Sequence, residues 1–241
     1  MIINNLVFPE SPKLILSEEN KAVFEIKPLY PGYGVTLGNA LRRVLLSSLI
    51  GAAITRVKIE DVPHEFTTIP GVYEDVLDIL LNLKKVRFKM EQDHPVDLTL
   101  EAEGKRIVKA KDIKTVPGIE VVNPEHHIAT LTSDNAKLKM KLTVEKGRGY
   151  VLAENLSKEK IVAGEIILDA NFSPVVNVSY EIENVRYLER TDFNLLRLTI
   201  ETDGTKTPTE ALNEAIDILI SHLEKVRIEK WENLKKQKNL V

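Results

Sequence analysis

The chain of 241 residues contains no cysteine. Disulfide bridges, zinc–thiolate centres and cysteine nucleophiles are therefore excluded from its chemistry. It lacks any apolar run near the ~20 residues that a membrane-spanning helix needs. Its first residues, MIINNLVFPES, have neither the charged start nor the long apolar stretch of a secretion signal. A cytoplasmic protein that spans no membrane is the expectation. Basic residues are not in excess: 33 Lys and Arg against 36 Asp and Glu leave a net charge of -3, so no global basic field points to nucleic acid. What the chain does have is 43% hydrophobic residues, enough for a sizeable core in one large or two medium domains. Its 29% of charged residues fits the ion-pair-rich surface that heat-adapted proteins carry.

The stretch PGYGVTLGNALRRVLLSSLIG, from Pro31 to Gly51, organises the rest. Thr36 can cap a helix running to about Ile50, and Gly51 can end it. At 100° per residue, Leu37, Leu41, Val44, Leu45, Ser48 and Leu49 share one arc, a core stripe. Asn39, Arg43, Leu46 and Ile50 share the opposite side, where a helix on a single core should be polar. Gly38 lowers helix propensity by roughly 1 kcal/mol, which points to a close backbone approach. The pattern predicts one face for the chain's own core and another for a partner.

Lys13–Leu16 and Lys21–Leu29 read as a strand pair turned at Ser17–Asn20. After Gly51, Ala53, Thr55, Val57 and Ile59 alternate with Ile54, Arg56, Lys58 and Glu60, a half-solvated strand. A second helix is expected from Val72 to about Lys84, with Leu77, Leu81 and Lys84 widening its apolar arc. It either lies broadly on a sheet or carries a second contact surface. From Arg87 to Leu156 short alternating segments separated by Gly, Pro, Asn and Asp predict an antiparallel β-rich block, and strands resume over Glu165–Tyr187 and Leu195–Glu201. Thr207 and Glu210 form a capping box with Pro208 at the first helical position. The closing helix repeats Leu212, Ile216, Leu219, Leu223 and Val226. Beyond it the basic segment to Val241 loses periodicity and reads as a fraying end or linker. The economical architecture is an α+β fold: a discontinuous domain of a sheet plus two long helices (1–50 and 175–230), an inserted β-rich domain (51–174), and a tail or start of a linker (231–241).

The tempting chemical motif is Gly32, Gly34 and Gly38 after a strand and at the start of a helix, the outline of a dinucleotide-binding βαβ unit. The alternating strand that follows, the absence of further βαβ units, and Pro28 and Pro31 argue for a tight turn and a closely packed helix instead. A nucleotide-binding enzyme using Gly32–Gly38 stays as the alternative. Adjacent histidines, His126 and His127, point to opposite faces of a strand and chelate a metal poorly. The basic run Lys105, Arg106, Lys109, Lys111 and Lys114 has no interleaved aromatics and reads as solvated strand edges in preference to a nucleic-acid groove. No catalytic constellation, metal site or cofactor site is expected. The informative surfaces are interfaces.

Several segments in order resemble one family. They are GYGVTLGNALRRVLLSSL, then HEF at His64–Phe66, GVYEDVLDILLNLK at Gly71–Lys84, and VEKGRGYV at Val144–Val151. GEIILDANFSPV at Gly164–Val175 and ERTDFNLLRLTIETDGT at Glu189–Thr205 complete them. Together they are similar to the N-terminal region of bacterial RNA polymerase alpha subunits. The resemblance implies a non-catalytic subunit of DNA-directed RNA polymerase, a nucleotidyltransferase. In that family alpha forms a homodimer through a discontinuous domain, and the beta and beta-prime subunits assemble on it for transcription. It implies that Arg43 and Leu46 contact beta, with Asn39 and Ile50 on the same side and Glu74, Asp75 and Asp78 from a further beta-facing segment. Lys84, Leu168 and Val175 match positions implicated with beta-prime. Leu37, Leu41, Leu45, Leu212, Ile216, Leu219 and Leu223 are expected in the dimer seam or the core beneath it, two roles the sequence does not separate. Family members reach promoter DNA and activators through a small C-terminal domain. This sequence stops at Val241, so those contacts are not expected of its residues, and regulator contacts near Glu154–Lys160 stand by analogy alone.

Overall fold

The computed structural model describes residues 6–156 and 164–227. Strands β1 (Lys13–Ser17) and β2 (Lys21–Leu29) lead into helix α1 (Tyr33–Ser47) and strand β3 (Ile50–Ile59). Helix α2 (Val76–Leu83) precedes β4 (Phe88–Met90), β5 (Val96–Glu103) and β6 (Arg106–Lys109). Next come β7 (Ile113–Lys114), β8 (Ile119–Val121), β9 (His127–Leu131) and the long β10 (Lys137–Arg148). Short pieces follow: β11 (Tyr150–Val151), helix α3 (Ala153–Leu156), β12 (Ile166–Ile167) and β13 (Ala170–Asn171). The described chain closes with β14 (Val175–Tyr187), β15 (Arg190–Thr202) and helix α4 (Pro208–Val226). The result is α+β, mostly strands with a few helices.

A four-stranded antiparallel sheet in the order β1-β2-β15-β14 joins the two ends of the sequence. Period-two alternation gives it two unlike faces. Ala22, Phe24, Val178, Leu198 and Ile200 are buried against Leu41, Leu45 and Leu49 from α1 and its exit, and against Ala211, Leu212 and Ala215 of α4. The reverse face is charged. Glu25 stands opposite Lys13 and Arg197 in register, and Arg197 is paired with Glu183 and, at 3.6 Å, with Glu25.

The larger sheet runs β7-β5-β10-β3-β4-β8, with β12 also paired to β3. Helix α2 supplies Val76, Ile79, Leu80 and Leu83 to the core it shares with Leu98, Leu100 and Leu142. Where β3 and β10 begin and end together, Gly51 pairs with Gly147. Both leave room for Phe172: a methyl group would fall 1.9 Å from its carbonyl oxygen at Gly51 and 2.6 Å from its ring at Gly147.

Several expected boundaries move. Helix α1 starts at Tyr33, with Gly32 at the cap in a left-handed conformation (φ 88°) and no side-chain cap of its own. The Thr36 hydroxyl instead donates to the Gly32 carbonyl at 3.2 Å. The helix stops at Ser47, so Ile50 and Gly51 open β3. Helix α2 starts at Val76, four residues late, because Asp75 is its cap and accepts from the Asp78 N–H at 2.7 Å. The expected strand at Arg106–Ile113 is broken by a 3₁₀ turn at Ala110–Asp112, and Gly149–Leu156 divides into β11 and α3. The capping box of Thr207 and Glu210 is present as expected. The tail at 231–241 lies outside the described residues.

Glu74 explains the late start of α2. Its carboxylate accepts from the Thr130 N–H (2.6 Å) and hydroxyl (3.0 Å) and from His127 Nε2 (2.8 Å), which fastens the chain to β9 before the helix can begin. Burial pushes this carboxyl up, but the Thr130 N–H, the His127 ring and the Thr130 hydroxyl outweigh it and hold it below the usual carboxylate range.

Two outcomes follow from these contacts. A methyl group at Gly38 would lie 2.8 Å from Tyr180 Cδ2 and 3.1 Å from Leu196 Cδ1. Gly38→Ala should therefore lower stability in urea titration by about 1–3 kcal/mol through overpacking, although an unconstrained helix would gain from alanine. For Glu74, the folded state holds its proton less tightly than the unfolded chain. Its contribution is complete above the ordinary glutamate value of 4.5 and is lost as pH falls through the lower folded value. Glu74→Gln should be less stable than the parent at neutral pH, with the gap shrinking in acid. A gap of equal size at both pH values would show that the charge contributes nothing.

Candidate functional site

The glycine loop before α1 is not a phosphate cradle. The N–H groups that would hold a phosphate are taken: Gly32 N donates to Asn194 Oδ1 at 3.0 Å and Gly34 N to the same oxygen at 3.4 Å. Strand β3 then pairs antiparallel with β10, β4 and β12, not parallel as a βαβ unit requires. The dinucleotide outline is thereby overturned.

The outward side of α1 carries Asn39, Arg43 and Leu46, all exposed, while Leu41 and Leu45 are buried beneath them. The two neighbouring arginines behave differently. Arg42 Nε donates to the Val178 carbonyl at 3.2 Å and pins the helix to β14. Among the described residues no acceptor pairs with the Arg43 guanidinium. Ile50, expected on this helical side, sits instead at the start of β3, where its N–H approaches Glu214 Oε1 at 3.4 Å.

On α2, Leu77 and Leu81 are exposed and flank Lys84. Lys84 Nζ lies 3.2 Å from Asp169 Oδ2 and 5.8 Å from the centre of the Tyr150 ring. Asp169 also accepts from the Ala153 N–H (2.9 Å) and the Tyr150 hydroxyl (3.0 Å). Those donors and the lysine hold its carboxyl below the usual range. The groove around this cluster is lined by Leu77, Leu81, Lys84, Ile166, Ile167 and Asp169. Leu168 also lines the groove, though it is only 6% exposed and belongs to the core of the larger sheet, whereas Val175, 4% exposed, lies in the core of the smaller sheet and not in the groove. Of the three acidic residues expected to face a partner, Glu74 is committed to β9 and Asp75 to capping α2, which leaves Asp78 exposed in the first turn.

The leucines expected in a dimer seam fall into two groups. Leu41, Leu45 and Leu212 are buried within the chain, and a side chain with so little free surface cannot cross to a second copy. Leu37, Ile216 and Leu219 are half-buried, and Leu223 is 69% exposed. The second half of α4 shows further apolar surface at Ile220 and Val226, and the start of α1 shows it at Tyr33 and Val35. Sequence reasoning had Val226 in the stripe of the closing helix but missed the other three, because nothing in a periodic pattern says where a helix leaves its own core.

Apart from the exposed Lys105, the remaining chemical candidates have partners within the chain. His126 Nε2 is 3.0 Å from the Asn82 carbonyl oxygen, and His127 belongs to Glu74. Arg106 pairs with Asp112 and Lys114 with Glu101, while Lys109 and Lys111 share Glu125, whose carboxyl they hold down to about 2. Of Glu154–Lys160, residues 157–160 lie outside the described residues.

A family model for the RNA polymerase Rpb3/RpoA insert domain matches residues 57–173, a stretch that begins within β3 and ends just past β13. The chain is 48% identical over 210 residues to the DNA-directed RNA polymerase subunit alpha of Roseiflexus castenholzii, covering 87% of this chain and 64% of that protein. To the subunit of the same name from Carboxydothermus hydrogenoformans it is 46% identical, covering 89% and 69%. To that of Flavobacterium psychrophilum it is 47% identical, covering 92% and 68%. The chain thus spans about two thirds of the length of these relatives. With close to half of its residues identical across nearly all of its length, it belongs to the DNA-directed RNA polymerase subunit alpha family.

Proposed function

We propose that this chain is a non-catalytic, cytoplasmic assembly scaffold of DNA-directed RNA polymerase: a homodimer on which the beta and beta-prime subunits gather. The observation that carries the reading is the double-sided character of α1. Its inner leucines complete a core, while Arg43, with no acceptor among the described residues, stands outside beside the exposed Leu46. An unpaired guanidinium beside aliphatic surface suits a charge-assisted anchor on a partner protein. The reading assigns that face to beta. It assigns the α2 groove, with Lys84 held by Asp169, to beta-prime.

Dimerisation is assigned to the body built from both ends of the sequence, residues 1–50 and 175–230, and the β-rich remainder to an inserted domain. The exposed end of α4 supports this. Ile220, Leu223 and Val226 recur at three-residue spacing on a helix whose first half buries Ala211, Leu212 and Ala215, a pattern suited to packing against a second copy. Polymerisation chemistry is left to the partner subunits. The relatives are longer than this chain, so no contact with promoter DNA or activators is assigned to these residues.

Arg43→Ala should leave a folded dimer and weaken capture of the beta subunit by about tenfold or more, as loss of a desolvated arginine anchor does. Co-purification of beta with the variant at parental strength would remove Arg43 from the interface. Leu223→Glu changes a side chain with no role in the chain's own core, so it should keep the parent's fold by circular dichroism yet sediment as a monomer. A dimer of unchanged strength would move the seam away from the end of α4.

A further inference from the structure

Helix α1 begins with little help from its own sequence: in the loop before it the Tyr30 carbonyl accepts from the Tyr33 N–H at 3.0 Å. The residue at its cap is glycine, and no side chain of the preceding loop accepts from its first turn. The first N–H groups of a helix need acceptors, and here they find one 160 residues away. Asn194, on β15, is 8% exposed and places one oxygen against both Gly32 N and Gly34 N. Its own amide nitrogen donates to Asn184 Oδ1 of β14 at 3.3 Å, which orients the group from behind. Gly34 is what lets the helix come this near: a methyl group there would lie 3.1 Å from Asn194 Cβ and 3.2 Å from its oxygen.

We propose that Asn194 is the positioning residue of α1: capping from the sheet, it fixes where along β14 and β15 the helix starts and hence which side chains face outward. The reason is geometric. A helix that slipped by one residue would turn its faces by about 100°, carrying Arg43 and Leu46 away from the outward side and Leu41 and Leu45 out of the core. The tight contacts at Gly38 and the Arg42 bond to Val178 support this phase further along the helix, but neither supplies an acceptor to its first turn, which without one is free to fray or rewind. Asn194 closes that freedom with the chain's own sheet, so helix phase and sheet register are set together. The consequence for capture of beta rests on the scaffold reading above. The positioning of α1 does not.

The test uses Asn194→Leu, which keeps the branched outline of the side chain and removes the acceptor, beside Asn194→Asp, which keeps an acceptor and adds a charge favourable at a helix start. Hydrogen exchange of this chain should show the amides at the start of α1 losing about tenfold in protection in the leucine variant, the scale of a lost cap, with the α4 amides unchanged. The aspartate variant should restore them, because the exposed Asn184 side chain can turn its own amide N–H toward the new carboxylate. Capture of beta should fall and recover in parallel. If the leucine variant does not fold, Gly34→Ala displaces the same oxygen with Asn194 intact and should loosen the same amides. Undiminished protection at the start of α1 in Asn194→Leu, or protection in Asn194→Asp no better than in the leucine variant, overturns the positioning role. Protection lost with capture of beta unchanged upholds that role and overturns the assignment of α1 to beta.

Discussion

The constraint on which the rest of this structure depends is how closely α1 lies on β14 and β15. At Gly38 the helix comes within a distance that excludes even a methyl group beside Tyr180 and Leu196, and at Gly34 it meets Asn194 and Ile182. Interiors pack at crystal-like density, so a helix seated this deeply has little freedom to rotate. Its inner leucines then reach the sheet and α4 at once. Its outer residues are left facing away from the sheet that holds it. A shallower helix with alanine at both positions would have higher intrinsic propensity, but it would not have this phase.

The β-rich body is built on a different principle. Its core is conventional: α2 laid on a twisted antiparallel sheet, with leucine, isoleucine and valine at the buried positions. Its surface is laced with cross-strand ion pairs such as Lys141 with Asp97 at 2.7 Å and Lys137 with Glu103 at 3.3 Å. Exposed pairs of this kind are individually weak, so what they do best is forbid wrong strand registers, where like charges would meet. The more buried Glu74 is of another sort. Its three donors come from a strand far along the chain and decide where α2 begins.

Much of this was legible in the residues, and for definite reasons. Alternation exposed the hairpins because one face of each strand is wet, and a capping box announced α4 because both partners lie within one turn. The two-sided character of α1 was legible from angular spacing alone. What was not legible came from distance in sequence. The acceptor for the first turn of α1 lies on β15, so a local reading takes Thr36 for the cap and starts the helix a full turn late. The same local reading takes Ile50 as helical because the pattern of LLSSLI continues smoothly, whereas the β3–β10 register claims it. Leu168 and Val175 could not be told from surface residues, since their burial depends on strands that arrive from elsewhere.

The two arginines of α1 show why an assembly surface is hard to see and yet physically distinct. They are adjacent, so they point about 100° apart on a helix. Arg42 turns toward β14 and spends its donor on a backbone carbonyl. Arg43 turns away, beside Leu46. Neither arginine nor leucine is unusual on a surface taken singly. Three residues apart, they set a guanidinium whose donors are left to water beside aliphatic surface. On the scaffold reading proposed above, a partner that brings both an acceptor and apolar cover would use the pair together. The same reasoning applies to the end of α4, where the exposed stripe of Ile220, Leu223 and Val226 is apolar and contains no charge that asks for a partner of opposite sign. On the same reading this stripe would meet its own copy, since a two-fold contact brings the same patch of both protomers together. Charge within one exposed stripe and its absence from the other is the physical ground on which the proposal gives them different partners.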